Sequence, residues 1–357
     1  MPESEFCPEC GTPTHITSEH RWLSSGAIVQ THDTRNRLAF IESENLDPLY
    51  RGIGELIGMP IEHIVIEASR RATRGYIGRM VPEETKRLVQ EGVIKPDVMV
   101  EASFQLARLM GYGNASLVDY RIEWDEKDFL TVRVAEPYSA LLWYGNFAGT
   151  FEAITDRDVG VTYKETSPGV FEATIVPSQH PPELKERLPM HPFKHTDGSL
   201  ELKRCGTCGG PNALSMYKWD LEAGIIRSTL TGRRMALLGP HMVDPTFQEL
   251  ERELGDDISQ VVIEAQRRFT KTGFYTVAEV VSEEAVRVEL AVRGLGNVRA
   301  LKMGKQGVVL RVEDVALHLM VIGLAQGLFE QAFGLDSEAS WTLSEGGTLE
   351  LTLTPKG

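Results

Sequence analysis

All four cysteines of this 357-residue chain lie in two Cys-x-x-Cys-Gly motifs, a spacing that suits metal binding. Cys7 and Cys10 form the first pair, and Cys205 and Cys208 form the second, 198 positions further on. Each pair can present two thiolates from one tight turn, and structural zinc sites have four tetrahedral ligands, with zinc–sulfur distances of about 2.3 Å. The glycine after each pair lets the backbone fold back toward a thiolate. We therefore predict one structural Zn²⁺ held by all four cysteines, with no coordination position left open for water.

Other uses of the four thiols stay open at this point. An iron centre takes the same ligands, and the rivals to a metal site are a redox-active dithiol or two pairs of free buried thiols. A redox site needs only one Cys-x-x-Cys pair, commonly in a thioredoxin-like context, so two matched pairs favour zinc. His191 and His195 could also ligate a metal, but nothing in the second half mirrors them, which favours solvated side chains.

Two clusters, each of one glutamate and two arginines, could bind an anionic group through their arginines. Glu67 precedes Arg70 and Arg71 at helical spacing, and the same pattern returns 197 positions later as Glu264, Arg267 and Arg268. These arginines could hold a carboxylate or phosphate of a ligand. The alternative, which the spacing favours, is an ion pair within each helix or a bridge between domains.

Each half contains a pair of glycines at helical spacing, and aromatic residues surround the pair in the first half. Gly145 and Gly149 lie four positions apart, as do Gly323 and Gly327, and this spacing lets another backbone approach closely. The first pair is surrounded by aromatic side chains, which are our candidates for lining an apolar cavity: Trp143, Phe147 and Phe151. A stripe of this kind more commonly belongs to the core.

The segments around these residues recur, which predicts an internal duplication. Residues 65–71 read Val-Ile-Glu-Ala-Ser-Arg-Arg, and residues 262–268 read Val-Ile-Glu-Ala-Gln-Arg-Arg, at a spacing of 197. Residues 111–114 match 294–297 at 183, and 149–152 match 327–330 at 178. We predict a first repeat over 1–179, a linker over 180–203 and a second repeat over 204–357, which the shared metal site joins.

Periodicity and turn residues predict the elements that position these groups. Apolar residues at helical spacing predict helices over 46–57, 61–80, 96–110 and 140–154 of the first copy. Alternation predicts strands over 117–122 and 129–134, a hairpin within 22–41, and a last hairpin over 159–163 and 170–176. The predicted fold class is α+β, with two tandem antiparallel-sheet domains backed by helices and joined by a zinc-ribbon-like site.

The second part of each copy resembles a known family. Residues 106–113 are followed by two predicted strands, an Ala/Gly-rich helix ending in Gly-Thr-Phe-Glu at 149–152, and a strand with Phe-Glu-Ala at 171–173. This order resembles the 4-vinyl reductase-like domain, which is related in fold to haem-dependent nitric-oxide-binding domains and to small subunits of the TRAPP vesicle-tethering complex. The resemblance covers about residues 98–176 and, more faintly, 278–354. It implies domains that bind a small molecule or a protein partner.

The chain departs from that family at the final hairpin of the first copy. Family members often place two cysteines there, whereas residues 166–172 read Thr-Ser-Pro-Gly-Val-Phe-Glu. The departure weakens any metal or redox role at this hairpin, and with it the reductase activity that gives the family its name.

Composition predicts a protein that does not bind nucleic acid and has no membrane span. The net charge of −14 is opposite in sign to what phosphate binding requires. The first six residues are acidic and lack the apolar core of a signal peptide. The most apolar stretch, 315–335, contains His318, Gln326, Glu330 and Gln331, which favours a buried core helix over a span. Paired cysteines without an export signal lead us to expect a cytoplasmic protein.

Binding is favoured over catalysis, because the sequence contains no nucleophile elbow, P-loop, metalloprotease helix or convergent acid–base pair. Our first hypothesis is a non-catalytic, zinc-containing binding or sensor protein for a hydrophobic small molecule. The alternatives are an assembly or tethering scaffold that binds a protein partner or forms a homodimer, and a reductase for a vinyl group of a tetrapyrrole-like substrate. A pocket above roughly 300 Å³ favours the first hypothesis, and a filled core with an exposed apolar patch favours the scaffold.

Overall fold

A computed structural model describes residues 6–181, 192–255, 257–279 and 282–356. His191 and much of the predicted linker lie outside the described residues. Among the described residues, no helix combines the length and apolar character needed to cross a membrane.

The first half begins with a short helix and three strands and continues with helices and a second sheet. The helices are α1 Thr14–Glu19, α2 Ser43–Ile57, α3 Glu62–Met80, α4 Glu83–Gln90, α5 Pro96–Leu109 and α6 Ala140–Thr155. The strands are β1 His20–Trp22, β2 Ile28–Gln30, β3 Arg37–Glu42, β4 Asn114–Arg121, β5 Phe129–Ala135, β6 Val159–Ser167 and β7 Val170–Pro177.

The second half follows the same general order. Its α-helices are α7 Asp244–Leu254, α8 Ile258–Phe269, α9 Glu283–Val292 and α10 His318–Phe333. Its strands are β8 Tyr217–Asp220, β9 Ile225–Ser228, β10 Arg234–Leu238, β11 Asn297–Gly304, β12 Gly307–Glu313, β13 Ser337–Leu343 and β14 Leu349–Pro355. Short 3-10 helices cover Asn212–Met216, Pro240–Met242 and Val277–Glu279, and a π-helical turn covers Thr270–Phe274.

The four helices predicted for the first copy are confirmed as α2, α3, α5 and α6. Gly58 ends α2 in the left-handed region, with φ of 79°, and its amide donates to the carbonyl of Gly54. Ser139 caps α6 with its hydroxyl, which accepts from the amide of Leu142. Helices α1 and α4, which are six and eight residues long, were not predicted.

Three antiparallel sheets confirm a mixed α+β architecture. One four-stranded sheet has the order β4-β5-β7-β6, and the other has the order β11-β12-β14-β13. The third sheet has six strands in the order β1-β2-β3-β10-β9-β8, so three come from each half. Strand β3 pairs with β10 at its centre, where Leu238 lies opposite Ala39 and Met235 opposite Glu42. The two halves therefore share a continuous sheet as well as the cysteine cluster.

The turn between β1 and β2 and the turn between β8 and β9 each contact the opposite half of the chain. The amide of Gly113 donates to the carbonyl of Gly224, and the amide of Gly296 donates to the carbonyl of Gly26. All four of these glycines have positive φ. A Cβ atom on Gly26 or Gly224 would collide with the facing backbone. Glycine is therefore required where each hairpin turn contacts the Gly-x-Gly-Asn turn of the other half.

The largest apolar core contains residues from both halves, including Ile41, Tyr50, Leu238 and Phe247. A second cluster lies under the hairpins and includes Ile16 and Leu214, which follow the two cysteine pairs. Both of these clusters contain residues of the two predicted repeats, while the cysteines form a small buried cluster of their own.

Candidate metal centre and ligand cavity

Both cysteine motifs fold into knuckles with matching hydrogen bonds. The amide of Cys7 donates to the Thr12 carbonyl at 2.8 Å, and the amide of Cys205 donates to the Gly210 carbonyl at 2.8 Å. The glycine that follows each pair donates back to the carbonyl of the first cysteine, at 2.9 and 3.0 Å, and has φ of 72°. This left-handed conformation explains why glycine follows each Cys-x-x-Cys pair.

The four sulfur atoms form one cluster. The Sγ atoms of Cys7 and Cys205 are 3.7 Å apart, and those of Cys10 and Cys208 are 3.6 Å apart. All four Sγ atoms lie within 4.8 Å of one another. A tetrahedral ion with metal–sulfur bonds of about 2.3 Å requires sulfur–sulfur distances near 3.8 Å, whereas a disulfide requires about 2.05 Å. The donor set and spacing therefore fit one four-thiolate metal ion.

Hydrogen bonds and burial shift the pKa values of these thiols in opposite directions. The amides of Cys10 and Glu9 lower the pKa of the Cys7 thiol to about 7, against the opposing effect of burial. The amide of Cys208 also lowers the pKa of Cys205, but burial and the neighbouring Cys7 raise it further, to about 12. One thiol is thus ready to ionise near neutral pH, and a bound dication would draw the others into the thiolate form.

Glu9 bridges the two knuckles directly. Its carboxylate accepts from the amide of Thr207 at 3.0 Å and from the Thr207 hydroxyl at 2.8 Å. These contacts lower the pKa of Glu9. Arg204, next to Cys205, donates to the carbonyl of Trp22 at 2.9 Å. His195 lies beside Phe193 and is not part of the cluster.

The predicted arginines all contact protein carboxylates. Arg70 is buried and donates to Glu152 and Glu67, both at 2.7 Å. Arg71 lies 3.4 Å from Glu249, which belongs to the other half. In the second half, Arg267 pairs with Glu264 and Glu330, while the exposed Arg268 pairs with Glu264. These are the ion pairs and the bridge that the spacing favoured, and a role in ligand binding stays a prediction.

A cavity of about 830 Å³ lies in the second half. Its walls come from α9, from strands β11 and β12, from one side of α10, and from the β8–β10 hairpin. Most of the lining side chains are aliphatic, among them Leu290, Leu301, Met303, Val308, Leu310, Val321, Leu324, Ala325 and Leu328.

One end of this cavity carries charged side chains. The guanidinium of Arg293 pairs with the Glu42 carboxylate, and its Nε donates to the carbonyl of Phe40 at 3.1 Å. The guanidinium of Arg233 lies 4.8 Å from the ring centre of Phe274 and 4.6 Å from that of Tyr275. Since Glu42 ends β3, the first half contributes a side chain to a cavity of the second half.

The aromatic residues of the first copy border a much smaller space. Phe147 and Phe151 line a void of about 30 Å³, and the ring of Trp143 stacks on Phe147 at 5.8 Å between centres. At the spacing of 178, Trp143 and Phe147 correspond to Val321 and Ala325 of the large cavity. The smaller side chains of the second copy were the available signal for the cavity, and the sequence analysis missed it. The ligand-binding role of Trp143, Phe147 and Phe151 stays a prediction.

Comparisons with known proteins give little further information. No protein-family model and no curated protein matches the chain. The solved structures with weak similarity include an H-NOX mutant carrying 4-cyano-L-phenylalanine, with a TM-score of 0.25 and 15% identity over 33% of this chain and 74% of that chain. A mutant of the T. Tengcongensis H-NOX has a TM-score of 0.24 and 15% identity over the same shares. TM-scores this low give no evidence about the fold or the function of this chain.

Proposed function

We propose that this chain binds a hydrophobic small molecule in the cavity of its second half. The carrying observation is the cavity itself, because about 830 Å³ lies within the range of sites for drug-sized ligands. Its aliphatic lining favours an apolar ligand, which gains about 25 cal/mol for each Å² of apolar surface removed from water. The volume exceeds the threshold of roughly 300 Å³ given above, so it favours a binding or sensor protein over a scaffold with filled cores.

The proposal includes a duplicated module clamped by one structural zinc ion. The equivalent strand orders of the two four-stranded sheets and the matching hydrogen bonds of the two knuckles support the duplication. The sulfur–sulfur distances of 3.6 and 3.7 Å support a shared ion. Each copy would then correspond to a 4-vinyl reductase-like domain with its own knuckle, and four sulfurs would complete the coordination of a zinc ion that has no catalytic role.

Filling the cavity tests the proposed function. Ala325→Phe places a ring where the first copy has Phe147, so it should weaken binding of the neutral fluorescent probe N-phenyl-1-naphthylamine at least about tenfold. Val309→Phe is the matched control, because Val309 is 48% exposed and does not line the cavity. We expect the control to bind as the wild type does.

A folded Ala325→Phe variant that binds the probe with wild-type affinity would overturn this proposal. Native mass spectrometry of the purified wild-type protein provides a second measurement. We expect a co-purifying small molecule whose occupancy falls in Ala325→Phe and is retained in Val309→Phe.

A further inference from the structure

On the basis of the proposed function, we propose that the ligand is amphipathic and that the Glu42–Arg293 end of the cavity recognises a hydrogen-bond-accepting oxygen on its head group. The aliphatic walls formed by β11, β12 and α10 would hold the apolar part of the ligand. The chemical class is therefore a molecule with an apolar body and a terminal carbonyl or carboxylate.

The buried ion pair is costly in an otherwise aliphatic wall. Arg293 and Glu42 are 8% and 6% exposed, and removing two charges from water commonly costs more than their attraction returns. At the corresponding positions of the other half, the chain has Met110 for Arg293 and Gly239 for Glu42. The pair thus occurs beside the large cavity and is replaced by uncharged residues where the space is filled. Folding of the shared architecture does not require it.

The groups at this end offer hydrogen-bond donors to a ligand. The Nη1 atom of Arg293 is 4.0 Å from a carboxylate oxygen of Glu289, which is beyond hydrogen-bond distance. Arg293 is among the residues that line the cavity. A ligand oxygen would accept from its guanidinium, whereas an amine head would add further donors beside it.

Four probes of equal chain length separate head-group recognition from apolar binding. Decane, 2-decanone, decanoate and decylamine would each compete with N-phenyl-1-naphthylamine for the wild-type protein. We expect 2-decanone or decanoate to bind about tenfold more tightly than decane, the effect of one hydrogen bond to a charged donor, and decylamine to gain nothing. The order of the ketone and the carboxylate shows whether the natural head group is neutral or anionic.

The double variant Glu42→Gln with Arg293→Met tests the pair while leaving no single charge buried. We expect the tenfold preference for an oxygen-bearing head over decane to disappear, with the affinity for decane unchanged. The matched control is Glu84→Gln with Arg87→Met, which removes an exposed ion pair on α4. That control should keep the wild-type preference.

Three results would overturn the head-group inference without overturning the proposed function. The first is a double variant that retains the preference for 2-decanone or decanoate. The second is an equal loss of affinity for all four probes, which would show that the pair is only structural. The third is a wild-type protein that binds decane as tightly as the oxygen-bearing probes, in which case the proposed function stands alone. If the wild type binds none of the four probes and no N-phenyl-1-naphthylamine, both proposals fail.

Discussion

The cysteine sulfurs lie at the separations that one tetrahedral ion needs, so the loss of one thiolate should prevent stable metal binding. Cys208 is the most accessible ligand of the four, and Cys208→Ser therefore disturbs packing least. We expect elemental analysis to find one zinc per wild-type chain and almost none in Cys208→Ser, together with a lower melting temperature. Thr207→Ser keeps all four sulfurs and should keep the metal. Two ions per chain, or a wild type without metal, would contradict the shared site.

Asp244 should make stability depend on pH. Burial raises the pKa of its carboxyl group to about 7, and Arg37 lowers it only in part. Because the folded-state pKa lies above the ordinary value, this group's contribution to stability is fully present below about pH 4. It is then lost as the pH rises through about 7. We expect the free energy of unfolding to decline across this window by up to about 1.4 kcal/mol per pH unit.

Asp244→Asn removes the titration and should flatten that pH dependence, measured by urea denaturation between pH 4 and pH 8. The control is Asp197→Asn, which removes an exposed carboxylate. An unchanged slope in Asp244→Asn would assign the pH dependence to other groups.

At the scale of elements, the packing of α6 on α3 depends on two glycines. A Cβ atom on Gly145 would collide with the carbonyl of Ile66, and one on Gly149 would collide with the carbonyl of Arg70. The predicted close approach at this Gly-x-x-x-Gly spacing is therefore confirmed. In the second half, a Cβ atom on Gly323 or Gly327 would meet the corresponding carbonyls of Ile263 and Arg267.

Gly149→Ala should lower the free energy of unfolding by about 1–3 kcal/mol, since the added methyl group forces the two helices apart. Gly78→Ala is the opposing control, because Gly78 lies within α3 with open space at its Cβ position. That substitution should stabilise the protein by about 0.5–1 kcal/mol through reduced backbone entropy in the unfolded chain. Chemical denaturation measures both, and equal effects would show that the close helix contact is unimportant.

Local sequence patterns predicted the helices better than they predicted which strands pair. The helices of the first copy follow from apolar periodicity and from terminal signals such as Gly58, which act within a few residues. The junction of β3 with β10 joins strands about 200 positions apart, and short strands carry no signal for such a partner. The four-cysteine cluster could be predicted because cysteine pairs at this spacing are typical of metal sites. The cavity was missed because its signal, smaller side chains at positions such as Ala325, indicates a space only where no neighbouring side chain fills it.

On the scale of the whole molecule, one short segment of chain connects the four-cysteine cluster to the wall of the cavity. The 3-10 helix Asn212–Met216 begins four residues after Cys208, and its residues Ala213 and Met216 line the cavity, as does Tyr217 at the start of β8. Leu214 of the same helix packs with Ile16 of the first half beneath the knuckles. An ion bound by the knuckles would therefore also order part of the cavity wall.

Metal and ligand should therefore strengthen each other's binding. Removing the ion with a chelator leaves the Asn212–Met216 wall free to move, so we expect affinity for N-phenyl-1-naphthylamine to fall about fivefold, a typical coupling between sites. Thermodynamic linkage requires the probe to raise metal affinity by the same factor, which competition with a colorimetric chelator measures. Ala325→Phe blocks the cavity and should abolish this second effect while leaving metal affinity in the absence of probe unchanged. If chelation leaves probe affinity unaltered, the ion acts only as a clamp between the halves, and the wall keeps its shape without it.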